Sequence, residues 1–359
     1  MKDILSLTGS ELKETLINMG EKAFRAKQIF VWLHDRRVKS FDEMTDISKN
    51  LRERLKAEYY IGSCLAETTQ KSKIDGTEKY LYRLSDDHLI EGVFMKYREW
   101  NTACISSQVG CAMGCKFCAS TVDGCIRNMT AGEMVEEIYA MEEHTGEKVS
   151  HVVVMGSGEP LINYDELMRF INIITDEDGK NLSQRNITVS TCGIVPAIIR
   201  LSKEKLQINL AISLHAPNDE KRRLMMPIAE KYSISELMDA VKRYYEATHR
   251  RLTFEYALAE GQNDGEDDAK ELGELLKGLN AVINLIPVNP VTESIFKRPG
   301  MDVCRSFKNK LENFGINVTI RRELGTDIDG ACGQLRMQAY DKGKGHPDGR
   351  KYDKDLFID

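Results

Sequence analysis

Along the chain, the spacing of apolar positions changes twice. Over residues 1 to about 60 it is helical: Phe24, Ile29, Phe30 and Leu33 recur at intervals that predict an amphipathic helix. Thr8-x-x-Glu11 and Ser40-x-x-Glu43 are the residue pairs of a capping box, in which hydroxyl and carboxylate satisfy each other's backbone N–H groups. Gly20 can end the first helix. This region reads as helices only. From about Leu65 to Tyr97 the period falls to two, with strands predicted over Lys79–Leu84 and His88–Tyr97 and turns at Asp75-Gly76 and Ser85–Asp87.

From about Thr102 to Arg322, short apolar runs alternate with helical patterns. Strands are predicted near Thr102, His151, Arg185, Leu206, Arg251, Ala281 and Asn317, with a helix between each successive pair. Such alternation means an α/β fold with a parallel sheet, which right-handed crossovers curl into a partial (β/α)6-type barrel. The expected organisation is a helical N-terminal accessory domain (1–62), a β-hairpin linker (63–96), the barrel core (97–335) and a polar, mobile tail (336–359). Chemistry in such sheets sits at the carboxyl ends of the strands.

Composition narrows the partners. In 359 residues, 50 basic and 56 acidic groups give a net charge of −6, which argues against a uniformly basic polyanion binder. No run approaches the ~20 apolar residues of a membrane span, and Met1-Lys2-Asp3-Ile4 is too polar to open a signal peptide. A cytoplasmic chain with no membrane partner is expected. Lys22, Arg25, Lys27, Arg36, Arg37 and Lys39 interleave with Phe24, Phe30 and Trp32. They form either a solvated helix face or a surface that tracks a nucleic-acid backbone, with Arg36 and Arg37 as contacts.

The nine cysteines carry the sharpest signal. Their odd number and crowding between Cys64 and Cys125 do not match a secreted disulfide framework and point to metal or catalysis. Cys111, Cys115 and Cys118 fall within eight residues, with Gly110 and Gly114 to let the backbone fold around an ion. Three buried thiols, a zinc site completed from elsewhere, or an iron–sulfur cluster with one open iron all satisfy that spacing. Later loops add small polar groups at successive strand ends: Gly156-Ser157-Gly158-Glu159, then Ser190, Ser213-Leu214-His215 and Asn289. Each alone suits a turn or cap; together they suit a cofactor-binding rim. Cys104 precedes the triplet on the first strand, and Cys332 lies between Gly330 and Gly333.

The C-x₃-C-x₂-C loop, Cys104–Cys111, Gly158-Glu159-Pro160-Leu161, Ser213–Asn218 and Asp327–Leu335 together resemble the RlmN/Cfr family of radical S-adenosylmethionine (SAM) RNA methyltransferases over nearly the whole chain. Ser157 and Val288 depart from the family pattern at rim positions, while Cys64, Cys125, Cys192 and Cys304 have no role in it. The resemblance implies a 4Fe–4S cluster on Cys111, Cys115 and Cys118, and SAM contacts from Gly158, Glu159, Ser190, Ser213, Leu214, His215 and Asn289. It also implies two SAM molecules per turnover, Cys332 as methyl carrier, Cys104 as its resolving partner through a disulfide, and Glu91 as proton acceptor. The implied substrates are C2 of adenine-2503 in 23S rRNA and of adenine-37 in tRNA. A flavodoxin- or ferredoxin-like electron donor and a monomeric enzyme complete the expectation. The alternatives are a C8-directed enzyme of the Cfr type and a non-catalytic, metal-stabilised RNA-binding factor.

Overall fold

The structure, a computed structural model, describes residues 1–288, 296–328 and 334–341. Strand β1 (Lys2–Asp3) leads into helices α1 (Gly9–Asn18), α2 (Phe24–His34) and α3 (Lys49–Glu58), followed by β2 (Tyr59–Tyr60). The Thr8–Glu11 and Ser40–Glu43 capping boxes both form. Contrary to the helices-only reading, β1 and β2 pair in parallel; a two-residue strand carries no period to read. Leu12, Leu16, Ile29, Phe30, Leu33, Leu51 and Leu55 join the same buried core as the helices of the main sheet.

Strands β3 (Leu65–Lys71), β4 (Glu78–Arg83) and β5 (Leu89–Lys96) run antiparallel, and β5 pairs antiparallel with β6 (Asn101–Ile105). A short pair, β7 (Gln108–Gly110) with β8 (Cys125–Asn128), stands apart. The main sheet then continues in parallel from β6 through β9 (His151–Val154), β10 (Ile187–Thr191), β11 (Asn209–Ser213), β12 (Leu252–Leu258), β13 (Ala281–Pro287) and β14 (Asn317–Ile320). The three antiparallel strands therefore extend the barrel sheet to ten strands in the order β14-β13-β12-β11-β10-β9-β6-β5-β4-β3.

Crossover helices are α4 (Ala131–Thr145), α5 (Tyr164–Thr175), α6 (Val195–Leu201), α7 (Asp219–Met225), α8 (Ile234–Thr248), α9 (Glu266–Leu276) and α10 (Met301–Glu312). Parallel strands covered on both faces become continuous apolar runs, and Leu210, Ala211 and Ile212 of β11 are each fully buried. Residues 336–341, read as the start of the tail, instead belong to helix α11 (Gln334–Asp341), whose Leu335 and Ala339 pack on Leu81 and Leu89 of the antiparallel layer. The rest of that tail lies outside the described residues. Among the described residues, no helix is long and apolar enough to cross a membrane.

Asp3 shows how the N-terminal region docks. Its Oδ1 accepts from Leu5 N at 3.1 Å and Gly62 N at 3.1 Å, while Oδ2 is buried without a partner. Burial first, then the nearby charges of Glu133 and Glu136, push its pKa up to about 7, against the opposing backbone hydrogen bonds. A carboxyl raised in the fold contributes stability at low pH, and that contribution is lost as pH rises from about 4 to about 7. Asp3→Asn, which fixes the neutral form, should therefore stabilise the protein near pH 8, by on the order of 2–4 kcal/mol. The gain should vanish near pH 4, as denaturant melts at the two pH values will show.

Candidate active site

The three-cysteine loop is built by the β7–β8 pair. Gly110, at φ +83°, lies against Gly124, where a Cβ would overlap the Gly124 carbonyl oxygen, and Cys111 N donates to that same oxygen at 2.9 Å. The loop then turns tightly. Cys118 N donates to Cys115 O at 3.0 Å, and Thr121 Oγ1 donates to Cys118 O at 2.9 Å and Cys115 O at 3.2 Å. Lys116 N donates to Met225 O at 3.0 Å, fastening the loop to the end of α7. Cys111 and Cys115 are buried and Cys118 half-buried.

Burial first, and then the neighbouring loop thiols, push the Cys111 and Cys115 thiols well above their ordinary range. Without a cation those two thiols stay protonated; a metal makes them thiolates. Among the described residues, no three His, Cys, Asp or Glu side chains converge on one point as a single-ion site requires. Three soft sulfur donors on one loop have the chemistry that an iron–sulfur cluster with one open iron requires.

The rim forms around this loop. Gly158, at φ +108°, lies where a Cβ would come within 2.7 Å of Gln108 N and Cβ, so only glycine allows the approach. Ser107 N and Gln108 N donate to Ser157 O at 2.8 and 3.1 Å, tying the end of β6 to the loop after β9. Glu159 is committed on both oxygens: Oε1 accepts from Leu161 N at 3.0 Å and Oε2 from Cys192 N at 2.7 Å. Burial raises its pKa, opposed by those N–H donors. It acts as a brace between the ends of β9 and β10. Ser190 and Ser213, on adjacent strands, place their hydroxyls 3.5 Å apart.

His215 sits at φ +58°, uncommon for a non-glycine residue. Asn263 Nδ2 holds it there by donating to His215 O at 2.7 Å. Because Ala257 N donates to His215 Nδ1 at 2.9 Å, the neutral ring carries its proton on Nε2. Burial, with the charge of Arg222, lowers its pKa to about 3. The ring meets Phe117 of the cysteine loop edge-on at 4.8 Å, so rim and loop are in contact. Leu214 is fully buried beside it, and Asn289 lies outside the described residues.

Sequence reasoning did not single out Asn263, Gln108 or Arg222. Gln108 bridges by accepting from Glu159 N at 2.9 Å and donating to Asn128 Oδ1 at 2.7 Å. A lone amide or guanidinium in a loop or helix gives no local sign of such long-range work.

Cys104 is buried on β6, opposite Val93 of β5 and Val153 of β9. Its expected partner, Cys332, lies outside the described residues. The segments flanking Cys332 are fastened twice. Before it, Asp327 accepts from Ser72 Oγ at 2.6 Å and Lys73 N at 2.8 Å. After it, Arg336 N donates to Glu91 Oε1 at 2.7 Å and Arg336 Nη2 to Ser120 O at 3.1 Å. The other oxygen of Glu91 pairs with the fully buried Lys79 Nζ at 3.1 Å.

Residues 2–61 match the family model for the ribosomal RNA large subunit methyltransferase N-terminal domain, and residues 105–273 match that of the radical SAM superfamily. The chain is 58% identical over 339 residues to a probable dual-specificity RNA methyltransferase RlmN from Lachnospira eligens, covering 94% of this chain and 96% of that one. This chain belongs to the RlmN family. A second RlmN, from Alkaliphilus oremlandii, is 57% identical, with 94% and 98% covered. Among solved structures, a radical SAM methyltransferase from Sphaerobacter thermophilus superposes with a TM-score of 0.88 at 42% identity, covering 93% of this chain and 99% of that one.

Within this RlmN-family fold, the basic residues of α2 and of the segment after it divide. Arg37 Nη2 pairs with the buried Glu142 at 2.5 Å and stacks on Tyr139, 4.4 Å from the ring centroid. Lys27 pairs with Asp178 at 2.6 Å, and Lys39 with Glu136 and Glu143 at 3.5 and 3.4 Å. Arg36 instead lies exposed over Trp32, 4.0 Å from its centroid. Arg36 and Arg37 therefore differ in their surroundings: Arg37 is engaged with α4, whereas Arg36 is exposed.

Proposed function

We propose that the chain methylates C2 of adenine in 23S rRNA and in tRNA. The observation that carries this reading is the thiol loop Cys111–Cys115–Cys118 packed against the polar rim in an RlmN-family chain, with Cys104 buried on the strand leading into it. Cys111, Cys115 and Cys118 would hold a 4Fe–4S cluster, and Gly158, Ser190, Ser213, Leu214, His215 and Asn289 would line the SAM site, with Glu159 bracing it. When bound, cluster and SAM would supply a reductively generated 5′-deoxyadenosyl radical able to remove a hydrogen from a methyl carried on Cys332, leaving the carbon radical that an electron-poor ring carbon requires. The chain's own part is to carry and resolve. Cys332 takes a methyl from SAM, gives up one of its hydrogens and bonds C2 through the remaining methylene, one electron of the adduct returning to the redox site. Cys104 takes the C2 proton and, once deprotonated again, closes on the Cys332 sulfur as a disulfide, breaking the sulfur–methylene bond so that a proton completes the product methyl. The burial of Cys104 suits this role, since its thiol is shielded from bulk oxidants. A flavodoxin- or ferredoxin-like donor supplies electrons, and the enzyme acts as a monomer.

The N-terminal helices would hold folded RNA by its phosphates while one adenine is extruded into the barrel mouth. Arg36→Glu should weaken RNA binding with the melting temperature unchanged. Arg37→Glu should lower stability by about 1–3 kcal/mol, because it sets a carboxylate beside buried Glu142. Filter binding and thermal melts on both variants separate the two.

The decisive experiment is anaerobic reconstitution followed by methylation of 23S rRNA and tRNA, with mass spectrometry of the nucleosides. C2-methyladenosine from both RNAs supports the reading. C8-methyladenosine would assign a Cfr-type reaction, and bound zinc without iron or SAM cleavage would leave an RNA-binding factor.

A further inference from the structure

Arg222, on α7, is fully buried. Its Nη2 donates to Cys192 O at 2.6 Å and to Ser213 O at 3.5 Å, and its Nε to Leu214 O at 3.3 Å. These carbonyls end β10 and β11, on the rim. Its Nη1 is buried with no hydrogen-bond partner, and among the described residues no carboxylate lies within ion-pair distance of it. A guanidinium taken out of water without a counter-ion costs several kcal/mol. Such a charge persists where something else neutralises it.

The groups in electrostatic reach of this guanidinium are the thiols of Cys192 and Cys115, the carboxylate of Asp219 and the ring of His215. Two further contacts put α7 beside the cysteine loop: Met225 O accepts from Lys116 N at 3.0 Å, and the Cys192 thiol lies 3.3 Å from Met113 Sδ. Cys115 becomes a permanent anion only as an iron ligand. The loaded loop is then the missing counter-charge, and each electron added to it strengthens the attraction.

We propose that Arg222 is the built-in counter-cation of the cluster, retaining it and raising its reduction potential so that a mild physiological donor can reduce it. Arg222 acts through the thiolates and touches neither RNA nor the transferred carbon. The inference rests on the reading that Cys111, Cys115 and Cys118 hold the cluster.

The test is a dithionite titration of anaerobically reconstituted full-length protein, monitored by electron paramagnetic resonance without RNA, for wild type, Arg222→Gln and Arg222→Lys. Removing the charge should disfavour the reduced cluster at least tenfold, a fall of ~59 mV for a one-electron couple. Lysine, which keeps the charge but not the fork, should restore most of that shift. Melts of apo- and cluster-loaded protein add a second readout. Arg222→Gln should cost the loaded form more than the apo form, since only the loaded form contains the anion. An unchanged potential at full iron content, or equal losses of melting temperature in both forms, would leave Arg222 a structural brace and overturn the proposal. If Arg222→Gln takes up no iron, Arg222→Lys decides: a retained cluster at near wild-type potential supports the counter-cation, and failure like the glutamine variant overturns it. Wild-type protein that binds no cluster would sink the site reading itself, a result distinct from these.

Discussion

Cys104→Ala should stop the reaction with the enzyme covalently attached to its RNA. In the proposed sequence the Cys332 sulfur holds the RNA through a methylene bridge until a second thiol displaces it. Alanine supplies neither the proton acceptor nor the displacing sulfur. Product should fall to background, and a species retaining both RNA and protein should persist through denaturing electrophoresis and collapse on nuclease treatment. The fold should survive. Cys104 is a small buried residue whose strand is held by backbone pairing to β5 and β9, and a buried cysteine packs as a small apolar side chain. Without an adduct, and with product still formed, Cys104 has no place in resolution. Adduct formation that also requires Cys332 would fix both roles together.

The second large effect is at Glu91, where structure and chemistry must be pulled apart. Its carboxylate pairs with fully buried Lys79 and accepts the backbone N–H of Arg336. Removing one partner of a buried ion pair costs ~3–5 kcal/mol, whereas replacing both with apolar groups is often neutral. Glu91→Ala should therefore lower the melting temperature sharply, and Lys79→Met in the same chain should recover most of the loss. If Glu91 also moves the substrate proton, the recovered double variant should still methylate ~10²-fold more slowly than wild type, while methylation of Cys332 proceeds, as peptide mass spectrometry would show. A double variant at the wild-type rate would make Glu91 a support for α11 and nothing more.

What the sequence disclosed depended on how local each feature is. The capping boxes at Thr8–Glu11 and Ser40–Glu43 were legible because both partners lie three residues apart. The parallel strands were legible because burial on both faces writes a continuous apolar run, although β11 begins at Asn209 and not Leu206. The antiparallel layer was legible as strands but not as part of the barrel sheet, since a period of two says nothing of which neighbour a strand pairs with. The thiol loop stood out because its spacing is rare. The brace role of Glu159 and the burial of Arg222 were not readable: both depend on carbonyls and N–H groups delivered from separate strand ends. Likewise, a cluster of Lys and Arg shows charge but not which members are spent on neighbouring helices.

The pairing of Asp327 with Ser72 and Lys73 joins points some 250 residues apart in the chain. It works as a clasp, holding the chain so that α11, the last described helix, leans on the antiparallel layer. Under the proposed function, the β3–β4 turn anchors the chain five residues before Cys332 and so serves the reaction without contributing a reactive atom. An insertion or deletion between Ser72 and Thr77, in a surface turn where length changes are ordinarily harmless, would then act on the proposed methyl carrier as directly as a change beside it.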